Sequence, residues 1–142
     1  MTMPDAETFR LPLRIFWEDT DAGGIVFYAN YLKFFERART EWLRARGCSQ
    51  EALRTEQRMA FVVTDTRLRF VAPARLDDLL EITVGVERAG QASLRFFQQA
   101  LRAGAGDAPP QLIAEGTVRI GCVDLGTFRP CRIPTDMLDA IR

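Results

Sequence analysis

Between Asn30 and Arg46, the residues Tyr31, Phe34, Phe35, Ala38, Trp42 and Ala45 recur at steps of three and four. Lys33, Glu36, Arg37, Arg39, Glu41 and Arg44 lie mostly between them. That spacing predicts one amphipathic helix of about 16 residues, roughly 24 Å long at 1.5 Å per residue. Gly47 supplies its stop. The remaining regular stretches read with a period of two. Leu11 to Trp17 alternates, with Pro12 confining it to a sheet edge or a strand's beginning. After a polar connection, Phe61 to Ala72, Leu79 to Glu87, Gln91 to Leu101 and Gln111 to Leu125 read as further strands. The turn residues of "ERAGQ" and "AGAGDAPPQ" make the last three an antiparallel meander, and a short helix begins near Thr135.

Five strands with one apolar face each, and one helix with one apolar stripe, leave few packings except a sheet wrapped around that helix. The class is therefore α+β, a five-stranded antiparallel sheet around one long central helix, in a single domain over residues 1–142. An open sheet leaves strand edges unpaired, and pairing copies edge to edge predicts at least a dimer.

Composition removes several function classes. Nineteen basic and 19 acidic residues cancel, so the overall field gives no case for nucleic acid. The opening MTMPDAETFR lacks the features of a secretion signal, and no apolar run approaches the roughly 20 residues of a membrane span, which predicts a cytoplasmic protein without an integral membrane segment. Cys48, Cys122 and Cys131 carry no C-x-x-C spacing and read as reduced thiols filling the core. There is no histidine, so the usual general base and the usual zinc ligand are both missing. Chemistry here has to run on carboxylates, hydroxyls, thiols or backbone dipoles.

The stretch "WEDTDAGGIVFYANYLKFFE" crowds Glu18, Asp19 and Asp21 into the approach to the long helix. One reading is a loop, in which carboxylates form Asx turns and favour the positive helix end while Gly23 and Gly24 permit unusual dihedrals. A calcium loop is excluded: Gly23 stands at the fifth position, Asn30 replaces the bidentate Glu of the twelfth, and the preceding segment is strand-like. The third reading is catalytic.

"EDTDAGGIVFYANYLKFFERARTEWLRARG", from Glu18 to Gly47, closely resembles the signature of the hotdog-fold acyl-CoA thioesterases of the 4-hydroxybenzoyl-CoA thioesterase and YbgC type. The similarity continues more weakly through "RFVAPARLDDLLEITVGV", and the strand order matches that family's topology. The resemblance implies hydrolysis of an acyl-CoA to free acid and CoA, with Asp21 as nucleophile or general base. It places a backbone donor for the thioester carbonyl at Tyr28, reached through Gly24, Ile25, Val26 and Phe27. Tyr28 departs from the YbgC subgroup, which usually carries His there, and agrees with the hydroxybenzoyl-CoA enzymes. Thr64 maps near a polar contact to substrate or catalytic carboxylate. Asn30 either bonds the active-site loop or caps the helix, and capping is the simpler reading. Coenzyme A brings phosphates, for which Arg67, Arg69, Arg75, Arg88 and Arg95 are candidates against a default of solvated surface arginine. No metal or redox cofactor is implied; coenzyme A enters as part of the substrate. The implied assembly is a homodimer or homotetramer with sites between subunits, and the YbgC subgroup's association with the Tol-Pal envelope system implies a functional link there. The alternatives are a hotdog dehydratase, whose usual His base has no candidate here, and a non-catalytic acyl-CoA or acyl-carrier-protein binding protein.

Overall fold

The computed structural model describes residues 3–142, in the order β1 (Phe9–Arg14), a single 3-10 turn (Trp17–Asp19), α1 (Asn30–Ala45), α2 (Gln50–Glu56), β2 (Met59–Phe70), β3 (Leu79–Ala89), β4 (Ser93–Arg102), β5 (Gln111–Asp124) and α3 (Thr135–Ile141). The strands form one antiparallel sheet in the order β1-β3-β4-β5-β2. β3, β4 and β5 are the expected meander. β1 and β2 are the two edges, and Pro12 sits on the first of them, where its missing N–H costs no ladder bond.

α1 packs its apolar stripe against one face of the sheet. Tyr31, Phe34, Phe35, Ala38 and Trp42 are buried, and Trp42 meets Phe96 of β4 edge-on at 5.4 Å. The aromatic stripe is therefore core, as its helical spacing suggested. Ala45, the last residue of α1, is exposed, although Trp42 and Leu43 in the turn before it remain buried. Arg39, placed by sequence on the polar side, is buried instead. Its guanidinium donates to Gln98 Oε1 at 2.9 Å, and Gln98 Nε2 in turn donates to the carbonyls of Phe35 and Thr83. The buried amide is thereby satisfied, and it joins helix to sheet through polar contacts.

Several boundaries differ from the sequence expectation. β1 stops at Arg14, and Trp17 belongs to the 3-10 turn with 79% of its surface exposed, because Asp19 Oδ2 accepts from Phe16 N and folds the chain back. The polar connection after Gly47 contains α2, capped by Ser49 Oγ accepting from Ala52 N, with Leu53 as its buried anchor. Seven residues are too few for a clear 3.6 periodicity. β2 starts two residues before the expected Phe61 and β4 two after the expected Gln91.

Burial raises the Tyr31 phenol from 10.0 to about 12, against the lowering effect of the Ala74 backbone. A raised folded-state value means the native state holds this proton more tightly than the unfolded chain. The associated stability is complete below pH 10.0 and is lost as pH rises toward about 12. Tyr31→Phe should flatten the fall of unfolding free energy across that window. Denaturant melts at stepped alkaline pH would show it, and an unchanged slope would rule Tyr31 out as the titrating group.

Candidate active site

The turn before α1 is built from backbone hydrogen bonds. Thr20 and Val26 bridge across it, Asp21 N donates to Ile25 O at 2.9 Å, and Gly24 N donates to Asp21 O at 3.0 Å. Gly24 closes the reversal at φ +80, the left-handed region where a side chain is strained. A Cβ at Gly24 would meet open space, so a substitution there tests conformation alone. Gly24→Ala should cost about 1–2 kcal/mol of stability and perturb the turn. Calorimetry would measure it, and an unchanged melting temperature would contradict the strained geometry.

Two anchors fix this turn to the rest of the protein. Val26 is buried and donates its N–H to Ala74 O at 2.8 Å, so both its side chain and its amide are occupied in structure. The Asp19 carbonyl accepts from Phe27 N at 3.0 Å and from Asn30 Nδ2 at 2.9 Å. Asn30 is thus the first residue of α1, and its amide ties the helix start to the acidic turn. It does not cap the helix: the capping position is Ala29, which offers no side-chain acceptor. The capping reading missed this because Asn30 already has helical geometry, one residue inside the position a cap occupies.

These bonds sort the amides near the helix tip. Gly24, Val26 and Phe27 donate to Asp21, Ala74 and Asp19. Among the described residues the Tyr28 and Ala29 amides have no protein acceptor, and the first turn of α1 carries no acidic residue. The positive end of a 16-residue helix is left uncompensated by its own side chains. Asp21 follows two residues after the Asp19 anchor. It is exposed in the single chain, and Oδ1 accepts from Gly23 N at 2.8 Å. An aromatic wall stands beside this tip. The Tyr28 ring lies 4.9 Å from Phe27 and 6.0 Å, edge-on, from Phe70 at the end of β2, and Phe70 also contacts Tyr31 at 5.8 Å. Tyr28, Phe27, Ile25 and Phe70 are all exposed.

The fold brings together Asp21, Gly24, Ile25, Val26, Phe27, Tyr28 and Asn30. Thr64 is elsewhere, at the bulge of β2, where its hydroxyl donates to Arg119 O and accepts from Arg119 Nη1 at 3.0 Å. Of the candidate arginines, Arg69 is paired with Glu115 at 2.6 Å, and Arg75 bridges to Ile25 through its backbone, beside the turn. Arg88 and Arg95 are direct cross-strand partners, and Arg95 is in turn opposite Arg119. All three are exposed, forming a row of like charges across β3, β4 and β5. Arg119 was not singled out by sequence, because only strand register shows that it completes the row. Among the described residues, no group of three or more His, Cys, Asp or Glu is arranged to hold a metal ion, and no helix is long and apolar enough to cross a membrane.

Comparison with known proteins identifies the family and the fold. Residues 15–141 match the family model described as the thioesterase-like superfamily. The chain is 43% identical over 130 residues to the acyl-CoA thioester hydrolase YbgC of Escherichia coli O6:H1, covering 92% of each protein. It is 40% identical over 129 residues to the acyl-CoA thioesterase YbgC of Haemophilus influenzae, covering 91% of this chain and 90% of that one. Among solved structures, a 4-hydroxybenzoyl CoA thioesterase in complex with 4-hydroxybenzoyl CoA superposes with a TM-score of 0.87 over 96% of this chain and all of that one; at 20% identity it supports the fold alone. The helix-wrapping sheet, the acidic turn at the tip of α1 and these matches together make the chain a member of the thioesterase-like superfamily, in the YbgC family of hotdog-fold acyl-CoA thioesterases.

Proposed function

We propose that the protein hydrolyses acyl-CoA thioesters to free acid and CoA, with Asp21 as nucleophile or general base and the Tyr28 amide as the donor to the thioester carbonyl. The observation that carries this reading is the free Tyr28 N–H at the helix tip, next to a turn whose bonds hold Asp21 close to that tip. Thioester cleavage asks little else. The departing thiol has a conjugate-acid pKa near 8.5 by the free-cysteine reference, so it leaves without strong general-acid help. As the carbonyl carbon becomes tetrahedral, negative charge gathers on its oxygen, a charge that an orphaned amide at a helix N-terminus and the helix dipole suit. Asp21 either adds to that carbon, giving a mixed anhydride that water then opens, or takes a proton from the attacking water. Gly23 and Gly24 keep side chains away from the approach.

Substrate binding extends this reading. Like charges directly opposite each other on a sheet are destabilising, and only Arg119 has a carboxylate, Asp65 of β2, as its other cross-strand partner, so the row Arg88, Arg95 and Arg119 is better explained by an anionic partner such as the phosphates of coenzyme A. Arg95→Glu should raise KM about tenfold with kcat nearly unchanged, and the effect should shrink as salt rises. A loss in kcat alone would remove the row from substrate binding. The exposed aromatic wall and the exposed Val62 and Val63 on the unpaired edge of β2 favour a homodimer or homotetramer that covers Asp21. A cytoplasmic location and a link to the Tol-Pal system rest on the sequence reading and the family resemblance.

Thiol release from benzoyl, short-chain and long-chain acyl-CoAs tests the activity. Turnover of at least one class is expected. Tight binding of all with turnover of none would favour the non-catalytic acyl-CoA-binding alternative.

A further inference from the structure

A second pair of reactive groups lies far along the sequence from the Asp21 turn. Beyond β5 the chain reverses and runs back alongside it. Val123 and Pro130 form an antiparallel bridge, Asp124 N donates to Arg129 O at 2.9 Å, and Cys131 N donates to Cys122 O at 2.9 Å. That register sets Cys122 and Cys131 directly opposite each other, with their sulfurs 3.6 Å apart. Directly opposed residues of an antiparallel pair have Cα atoms about 4.5–5.5 Å apart, inside the range a disulfide spans. The reversal is already ordered, since Asp124 Oδ1 accepts from Gly126 N at 2.7 Å and from Thr127 N at 3.0 Å. Bonding the sulfurs therefore needs little backbone movement. The third cysteine, Cys48, is buried beyond the C-terminus of α1, with its thiol directed to Arg46 O, and serves as an internal control.

We propose that Cys122 and Cys131 form a peroxide-oxidisable pair, closing a reversible intrachain disulfide that staples the segment ahead of α3 to the end of β5. The two thiols differ in access, which sets the order of events. Cys131 is half-buried and Cys122 fully buried; burial, with a smaller contribution from the neighbouring Cys131, pushes the Cys122 thiol up to about 12. Cys131 is thus the site of first attack. Its sulfur displaces hydroxide from hydrogen peroxide to give the sulfenic acid, and the hydroxide takes up the thiol proton as water. The Cys122 sulfur then attacks the sulfenic sulfur, the S–S bond forms, and a second water leaves with the Cys122 proton. Two thiols lose two electrons and two protons in all, and one peroxide becomes two waters. The staple closes a short loop whose far end leads into α3, where Met137, Leu138 and Ile141 join the core.

Titrating the purified full-length protein with hydrogen peroxide and following intact mass tests the pair. The mass should fall by about 2 Da and recover with a thiol reductant. After cleavage before Asp124, the Cys122 and Cys131 peptides should stay joined until reduced, with Cys48 still alkylatable. The oxidised protein should melt about 5 °C higher. Cys48→Ser should retain all of this, and Cys131→Ser should lose it. Differential alkylation of the unmodified protein keeps the test open should the Cys131 variant fail to fold. Cys122 staying fully alkylatable while Cys131 gains oxygen, or cross-linking between chains instead of within one, would overturn the proposal.

Discussion

Asp21→Asn should lower kcat by about 10²–10⁴-fold while melting temperature and affinity for the CoA product stay close to those of the unsubstituted protein. The amide is nearly isosteric with the carboxylate, and its carbonyl oxygen can still accept from Gly23 N, the hydrogen bond that shapes the turn. What disappears is the negative charge, and with it both the capacity to add to the thioester carbon and the capacity to take a proton from water. A carboxylate that only formed an Asx turn would be worth about 1 kcal/mol and would show in stability before it showed in rate. The split between rate and stability therefore separates the catalytic reading from the structural one. Turnover within a few-fold of the starting protein would end the assignment of Asp21.

Tyr28→Pro should show the second large effect, a fall of about 10²–10³-fold in kcat, against near-normal turnover expected for Tyr28→Phe. Proline removes the one amide hydrogen assigned to the developing oxyanion. The bonds that hold the tip in place, from Phe27 N and Asn30 Nδ2 to Asp19 O, come from neighbouring residues and survive the change. Phenylalanine keeps the amide and the ring contacts with Phe27 and Phe70, so any loss in that variant reports on the phenol alone. Two variants equally impaired would show that the side chain matters and the backbone does not. Two variants equally active would leave the carbonyl without its donor.

Much of this was legible in the chain itself. Tyr31, Phe34, Phe35 and Trp42 announce α1 by spacing alone, and the alternation from Leu79 to Glu87 announces β3, because burial on one face imposes a period on each element. Trp17 misled because alternation continues past the point where Asp19 captures the Phe16 amide, a bond with no periodic signature. Arg39 misled for a related reason: a cation at a polar-looking position is buried here because Gln98, 59 residues away, supplies its acceptor. At the site, the acidic turn and glycines could be read from local chemistry, whereas the role of Asn30 could not. Its side chain reaches Asp19 across 11 residues, and the choice between cap and tether is decided by where the helix begins to within one residue. The arginine row needed the register of three strands, which no single stretch of sequence contains.

The most direct measurement is a crystal structure of the Asp21→Asn variant with an intact acyl-CoA bound. The thioester oxygen should lie about 2.7–3.1 Å from the Tyr28 nitrogen, with the thioester carbon about 3–3.5 Å from the residue 21 side chain. A thioester bound with its oxygen turned toward solvent, and the Tyr28 amide facing only water or protein, would contradict the account.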